Sequence, residues 1–391
     1  MNEILFSLLR IAIGTQTEFP YTPSSEDWNC IEQTARKQSV SGIAFAGLQK
    51  VCTAARKNVQ YAGCIKHLSR PIYLKWMGQA ALIQKRNDCL NKRCIELQRI
   101  LLADQFDCII LKGQGAALLY GAMVSLRQAG DIDVWVMPCN YVSHGRARKD
   151  FQDRKSLISD YCKAKLLSYD TSKEEKIHTD FPIFKDVSVE MHFTPSTMSN
   201  PGRNARFQRW FEQQWIEMQK SGYPSQGFKT PSAEFNLVYL LQHIFKHSLF
   251  EGIGLRQIMD YYFLLLAIVN KPESKVNLRQ FGNLLHSLGL YDIAQAVNWV
   301  MWQVFEGASA DSFLLAESCP LPAPEKGRGR LLYDMILEGG NFGHHSKYAI
   351  NGRNNTLAHR LWRYISRNAK LFHYYHNEIL WHLARQIAGN K

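Results

Sequence analysis

Strand-type alternation is confined to one window of this chain, about residues 105 to 195, and helical periodicity fills the sequence on both sides of it. No other feature constrains the fold as strongly, because a few short strands between long helical stretches can build only one small sheet, covered by helices. Before the window, apolar residues recur at three and four spacing through Ile4, Leu8, Leu9 and Ile11, and again through Ile31, Ala35, Val40, Ile43 and Leu48. Ser24-Ser25-Glu26-Asp27 offers a start for the second helix. A long amphipathic stretch from Pro71 to Gln105 carries Leu74, Met77, Ala81, Ile83, Leu90, Cys94, Leu97 and Leu101. From about Arg203 the helical pattern returns, most clearly over Ala233 to Phe250, Arg256 to Val269, Leu278 to Leu288, Tyr291 to Phe305, Leu331 to Leu337 and Leu357 to Ile387. The expected class is α+β: a helical region over 1–104, an α/β core with a small mixed sheet over 105–200, and a second helical region over 201–391.

Within the window, Asp107-Cys108-Ile109-Ile110-Leu111 reads as a strand, Lys112-Gly113-Gln114-Gly115 as a turn and Ala116 to Met123 as a short helix. Gly130 to Met137 reads as a second strand, and Tyr141 to Cys162 as a charged helix. Ile177 to Phe184 and Val187 to Thr194 flank Lys185-Asp186, which predicts a β-hairpin.

The chemistry concentrates on these strands. Side chains at i and i+2 share a face, so Asp131 and Asp133 project together while Ile132, Val134 and Val136 face the other way. Two adjacent carboxylates repel unless a cation or a proton lies between them, and their hard oxygens suit magnesium. The competing reading of so short a motif is a solvated pair on an edge strand. Glu190, within the alternating Val187-Ser188-Val189-Glu190-Met191-His192-Phe193, is the best candidate for a third acid, and His192 shares its face. Lys112 and Gly113 end the first strand in a glycine turn before a helix, a geometry that can present N–H groups to phosphate, or else an ordinary connection. Arg127 can meet a triphosphate or bridge to an acidic neighbour.

The segments Leu111 to Tyr120, Arg127 to Val136 and Val189 to His192 together resemble the uncharacterised nucleotidyltransferase family of bacteria, within the DNA polymerase beta-like superfamily. His243 to His247, Gly254 to Asp260 and Gly340 to Gly343 also look like segments of that family. The resemblance implies a polymerase beta-like core, with Asp131, Asp133 and Glu190 as catalytic residues holding Mg2+ or Mn2+ and an NTP as donor. It places Lys112, Gly113, Gln114, Arg127 and His192 around the nucleotide, although Gln114 stands where better-known members carry serine. The implied reaction moves an NMP to an acceptor that is a small molecule, a protein side chain or a nucleic acid end, releasing pyrophosphate. The alternative is a catalytically degenerate nucleotide-binding or interaction module on the same fold.

Lysine and arginine exceed aspartate and glutamate by 47 to 34, a net charge of +13 that favours anionic partners without choosing among them. No apolar run approaches the roughly 20 residues of a membrane helix, so no membrane partner is expected. The apolar patch Ile4 to Leu9 follows Glu3 and lacks the order of a signal peptide. Nine scattered cysteines without a C-x-x-C pair suit a reducing compartment, by default the cytoplasm. His243 and His247 lie one helical turn apart but have no third ligand nearby, favouring a structural or substrate-lining role. Arg256 and Asp260 have the same spacing and predict a helix pair, while His344 and His345 read as loop histidines. The aromatic runs Tyr261 to Phe263 and Phe372 to Tyr375 read as core.

Overall fold

Helices occupy both flanks of the strand window. The computed structural model describes residues 1–57, 59–141, 147–166, 177–221, 227–270, 278–340, 364–365 and 368–388. On the N-terminal side lie α1 (Asn2–Ile13), α2 (Ser25–Lys37), α3 (Ser41–Lys57) and α4 (Arg70–Ala103). Ser24 does start α2, by a reciprocal cap: its hydroxyl accepts from the Asp27 N–H, and the Asp27 carboxylate accepts from the Ser24 N–H. α1 and α3 cross so closely that a Cβ on Gly47 would collide with the Leu8 carbonyl.

The window folds into four strands, β1 (Phe106–Ile110), β2 (Ile132–Pro138), β3 (His178–Asp180) and β4 (Val189–His192), in the order β1-β2-β4-β3. β2 is interior, antiparallel to β1 and parallel to β4. A parallel neighbour requires a crossover, and α6 (Ala147–Lys165) lies in the connection from β2. α5 (Gln114–Ala117) and a 3-10 segment (Leu118–Leu126) join β1 to β2. β3 and β4 pair antiparallel as expected, but they are shorter than the predicted hairpin strands. Pro182 has no N–H to contribute, and the chain leaves the ladder until Val189.

Alternation along β2 sorts its residues between two cores. Ile132, Val134 and Val136 join Cys108, Ile110, Val189 and Met191 against Leu90, Cys94, Leu97 and Leu101 of α4 and Ile158 and Cys162 of α6. On the opposite face Ile109, Leu111, Trp135 and Met137 enter a larger core. That core is completed by α7 (Pro201–Ser221), α8 (Ala233–Phe250), α9 (Leu255–Val269), α10 (Leu278–Leu288), α11 (Tyr291–Phe305), α12 (Lys326–Gly339) and α13 (Phe372–Ala388). Trp135 seats two of these helices, with ring centroids 4.7 Å from Trp215 and 5.8 Å from Phe235. Leu5, Phe6, Leu8 and Leu9 of α1 belong to the same core, and Arg10 donates to the carbonyls of Val304 and Gln303 at the end of α11. The first and last parts of the chain therefore close over one face of the sheet together.

Tyr261 and Tyr262 are fully buried, as the core reading requires, whereas Phe372 is exposed and only Tyr375 of its run is enclosed among ordinary core residues. All nine cysteines are free. Burial pushes the Cys94 thiol up to about 12, which leaves it inert. Among the described residues no helix is long and apolar enough to cross a membrane.

The α1–α3 crossing gives a test of the packing. Gly47→Ala should lower stability by about 1–3 kcal/mol, the usual range for overpacking, read as a drop in the urea midpoint. An unchanged midpoint would contradict the close approach.

Candidate active site

Register brings the acidic residues together. Asp133 on β2 lies opposite Glu190 on β4, Glu190 lies opposite Asp180 on β3, and His192 lies opposite His178. Residues directly opposed across strands share a face. One face of three strands therefore presents Asp133, Asp180, Glu190, His178 and His192, while their apolar neighbours Val134, Val189 and Met191 serve the other core. Asp131 sits two residues before Asp133, just ahead of β2, and is exposed at the lip of the site. The solvated edge pair is excluded for Asp133, which is only 3% exposed and lies on an interior strand.

A buried carboxylate needs compensation, and Asp133 receives it twice. Lys112 Nζ lies 3.0 Å from its Oδ1, and His192 Nε2 lies 3.0 Å from the same oxygen. Burial alone would raise the Asp133 pKa, but Lys112 and His192 hold it well below the usual carboxylate range. The partners respond in kind. Burial opposes the charge on Lys112, yet Asp133 outweighs it and keeps the ammonium protonated. The His192 pKa is raised because its hydrogen bonds to Asp133 and Glu190 outweigh its burial. Asp131 goes the other way: burial and then the Asp133 charge push its pKa up, against the opposing charges of Lys112 and Arg256, although its outer side is open to water.

Lys112 and the acids line a cleft of about 550 Å³, within the roughly 300–1,000 Å³ of small-molecule sites. Asp131, Asp133, Asp180 and Glu190 form its acidic wall, and α8 and α9 contribute Leu240, His243, Ile244, Arg256 and Gln257 opposite. Gly113 adopts φ 53°, a left-handed conformation that favours glycine, and a Cβ there would lie 3.5 Å from the Asp131 carbonyl. The turn from β1 thus passes close beneath Asp131 and delivers Lys112 to Asp133.

The approach to β2 is clamped from two sides. From α4, Arg86 donates to the Gly130 carbonyl at 2.6 Å, and Asn87 donates to the Ser125 and Arg127 carbonyls at 2.7 and 2.9 Å. From α9, Asp260 accepts from Arg127 Nε and Nη2, both at 2.7 Å, and from the Tyr120 hydroxyl at 2.7 Å. Burial opposes the Arg127 charge and Asp260 restores it, so the guanidinium stays protonated.

Several expectations change. Arg127 takes the bridging role, its Nε and Nη2 bound to Asp260, and it also borders the cleft. Asp260 therefore pairs with Arg127 and not with Arg256, which donates to the Gln128 carbonyl at 3.0 Å. The side chain of Gln114 is buried and donates to Asn91 of α4 at 2.6 Å, turned away from the cleft. The two histidines of α8 divide: His243 lines the cleft, held neutral by burial and by its neighbour His247, whose Nδ1 lies 2.6 Å from Glu251. His344 and His345 lie outside the described residues.

Strand pairing adds residues that the sequence reading missed. His178 and Asp180 lie on the first strand of the expected hairpin, between the buried Ile177, Thr179 and Phe181, but the strand's register was open and only its pairing with His192 and Glu190 assigns them to the site. An H-x-D facing E-x-H across a hairpin was the available signal.

A family model described as an uncharacterised nucleotidyltransferase matches residues 24–305, and the chain belongs to that family. No curated protein and no solved structure matches it.

The Asp260 clamp is testable apart from activity. Asp260→Ala strands the buried Arg127 charge and should cost about 3–5 kcal/mol in urea unfolding. A loss below about 1 kcal/mol would show that the pair does not hold α9 against β2.

Proposed function

We propose that this nucleotidyltransferase family member moves a nucleoside monophosphate from an NTP to an acceptor hydroxyl or phosphate, with release of pyrophosphate, in the cleft between β2, β4 and the helices α8 and α9. The observation that carries the reading is the register of Asp133 with Glu190, with Asp131 at the lip, Lys112 beside Asp133 and Arg256 on the wall facing them. The donor set fits a hard divalent cation: three carboxylates on one face, one of them, Asp131, with its pKa raised first by burial and then by the neighbouring Asp133 charge. Asp131, Asp133 and Glu190 would hold Mg2+ or Mn2+, which when bound offsets charge on the phosphate oxygens.

The protein's own groups do the rest. Lys112 supplies positive charge beside the acids and, once a cation shares Asp133, its ammonium is available to a phosphate oxygen. The Gly113 turn keeps the backbone close to Asp131 without a side chain in the way. Arg256 and His243 line the far wall, where they orient the triphosphate and the base or the acceptor. The acceptor oxygen attacks the α-phosphorus, the bond from that phosphorus to the bridging oxygen breaks, and pyrophosphate departs. Glu190 takes the acceptor proton on its carboxylate, and His192 fixes Asp133 in place.

The acceptor is a small molecule, a protein side chain or a nucleic acid end, all compatible with the +13 charge. The free cysteines suit a reducing compartment such as the cytoplasm. The sheet and its acids support a place in the DNA polymerase beta-like superfamily. One observation favours the second reading, a degenerate nucleotide-binding or interaction module: Asp133 is already neutralised inside the fold by Lys112 and His192.

Asp131→Asn is the cleanest variant, because Asp131 is exposed and carries little of the fold. With Mg2+ or Mn2+, the wild-type protein should bind NTP by calorimetry and release pyrophosphate with one of a panel of acceptors. Asp131→Asn should slow release at least about a hundredfold without lowering the melting temperature. Absence of NTP binding, together with no effect of the substitution, would overturn the proposal; binding without turnover on any acceptor would favour the degenerate module.

A further inference from the structure

We infer that the acidic face includes a mixed nitrogen and oxygen position for a divalent metal, formed by His178, His192 and Glu190, which selects Mn2+ or a later transition metal such as Zn2+ over Mg2+. The inference builds on the proposed nucleotidyltransferase site, because Glu190 is common to both, but it concerns metal identity, and it gives His178 a role and His192 one beyond holding Asp133.

The geometry comes from the β3–β4 pairing. His178 and His192 are directly opposed, with ring centroids 5.0 Å apart. Glu190 Oε2 lies 3.7 Å from His178 Nε2 and 3.6 Å from His192 Nε2, and the three ligand atoms all fall within 4.8 Å of one another. Ligand atoms about 2.1 Å from a tetrahedral metal stand roughly 3.4 Å apart, so closure needs only small side-chain shifts. A compact surface charge cluster would not require two imidazoles to direct Nε2 at one carboxylate oxygen.

Ligand chemistry decides the metal. Carboxylates and water satisfy magnesium, whereas imidazole suits zinc and other first-row transition metals, whose affinities for nitrogen sites exceed that of magnesium. Manganese accepts both donor types and is compatible with phosphoryl-transfer chemistry. The surroundings argue for an exchangeable metal and against a structural one. His192 Nδ1 is buried without a hydrogen-bond partner among the described residues, so the acceptor that normally fixes a ligating imidazole is missing. Glu190 is partly open to the cleft, which gives a path for entry. His192 Nε2 also reaches Asp133 at 3.0 Å, so a metal here sits beside the carboxylate pair and not in a separate pocket.

The competing account is that His178 and His192 act as protonated counter-charges to the acids, in which case a metal would meet oxygen alone. Pulsed electron paramagnetic resonance of Mn2+ bound to the chelator-stripped full chain, without nucleotide, separates the two. The expected result is coupling to directly bound imidazole nitrogen in the wild-type protein, retained in a large excess of Mg2+. In His178→Asn that nitrogen coupling should diminish, and Mn2+ should bind at least about tenfold more weakly. Mn2+ ligated only by oxygen in the wild-type protein, or displaced by equimolar Mg2+, would overturn the inference whether or not the variant folds. Oxygen-only Mn2+ with NTP binding intact would leave the nucleotidyltransferase proposal standing. Nitrogen-bound Mn2+ in a protein that binds no NTP would overturn that proposal and leave this one.

Discussion

A carboxylate on an interior strand, 3% exposed, cannot stand without cations around it, and Asp133 is that carboxylate. The need organises its surroundings. β1 must end in a turn tight enough to bring Lys112 back over β2, which requires the left-handed Gly113. β4 must pair parallel to β2 in the one register that aligns Glu190 with Asp133 and places His192 within 3.0 Å of it. A slip of one residue would turn Glu190 and His192 into the apolar core beneath and bring Met191 out. The compensating charges are thus placed by sheet register, and the register is enforced by the apolar residues that alternate with them.

A second buried pair ties the helical regions to this sheet. Arg127 enters β2 from one side and Asp260 belongs to α9, so their two contacts at 2.7 Å fix the cleft's far wall relative to its acidic wall. Tyr120 adds a third bond to the same carboxylate. A pair so enclosed contributes positional specificity more than net stability. It also leaves Arg256, one helical turn earlier on α9, to line the cleft. The division of labour between two arginines accounts for a site acidic on one side and basic on the other.

Much of this was legible in the sequence because period-two alternation states which residues share a face. Asp131, Asp133, Glu190 and His192 were recognisable in that way, and so were the flanking helices from their three-and-four spacing. What stayed hidden depends on contacts between distant segments. Whether Arg127 meets a phosphate or Asp260 is decided 133 residues along the chain, and no local pattern reports it. Gln114 looked like a turn residue facing a ligand, yet the short helix that it opens packs on α4 and takes the side chain to Asn91. His178 and Asp180 stood on an expected hairpin strand, but the hairpin's register was not fixed by the sequence and Pro182 shortened the strand, so only pairing with β4 reveals what they face.

The central claim is that acids and bases on opposite walls of this cleft hold one triphosphate between them. The most direct measurement is a crystal structure of the protein with a non-hydrolysable NTP and Mn2+. The account expects the α-phosphate beside Asp131, Asp133 and Glu190, with Lys112 or Arg256 within hydrogen-bonding distance of the outer phosphates. A nucleotide bound elsewhere, or a cleft in which Lys112 remains on Asp133 and no phosphate enters, would contradict it.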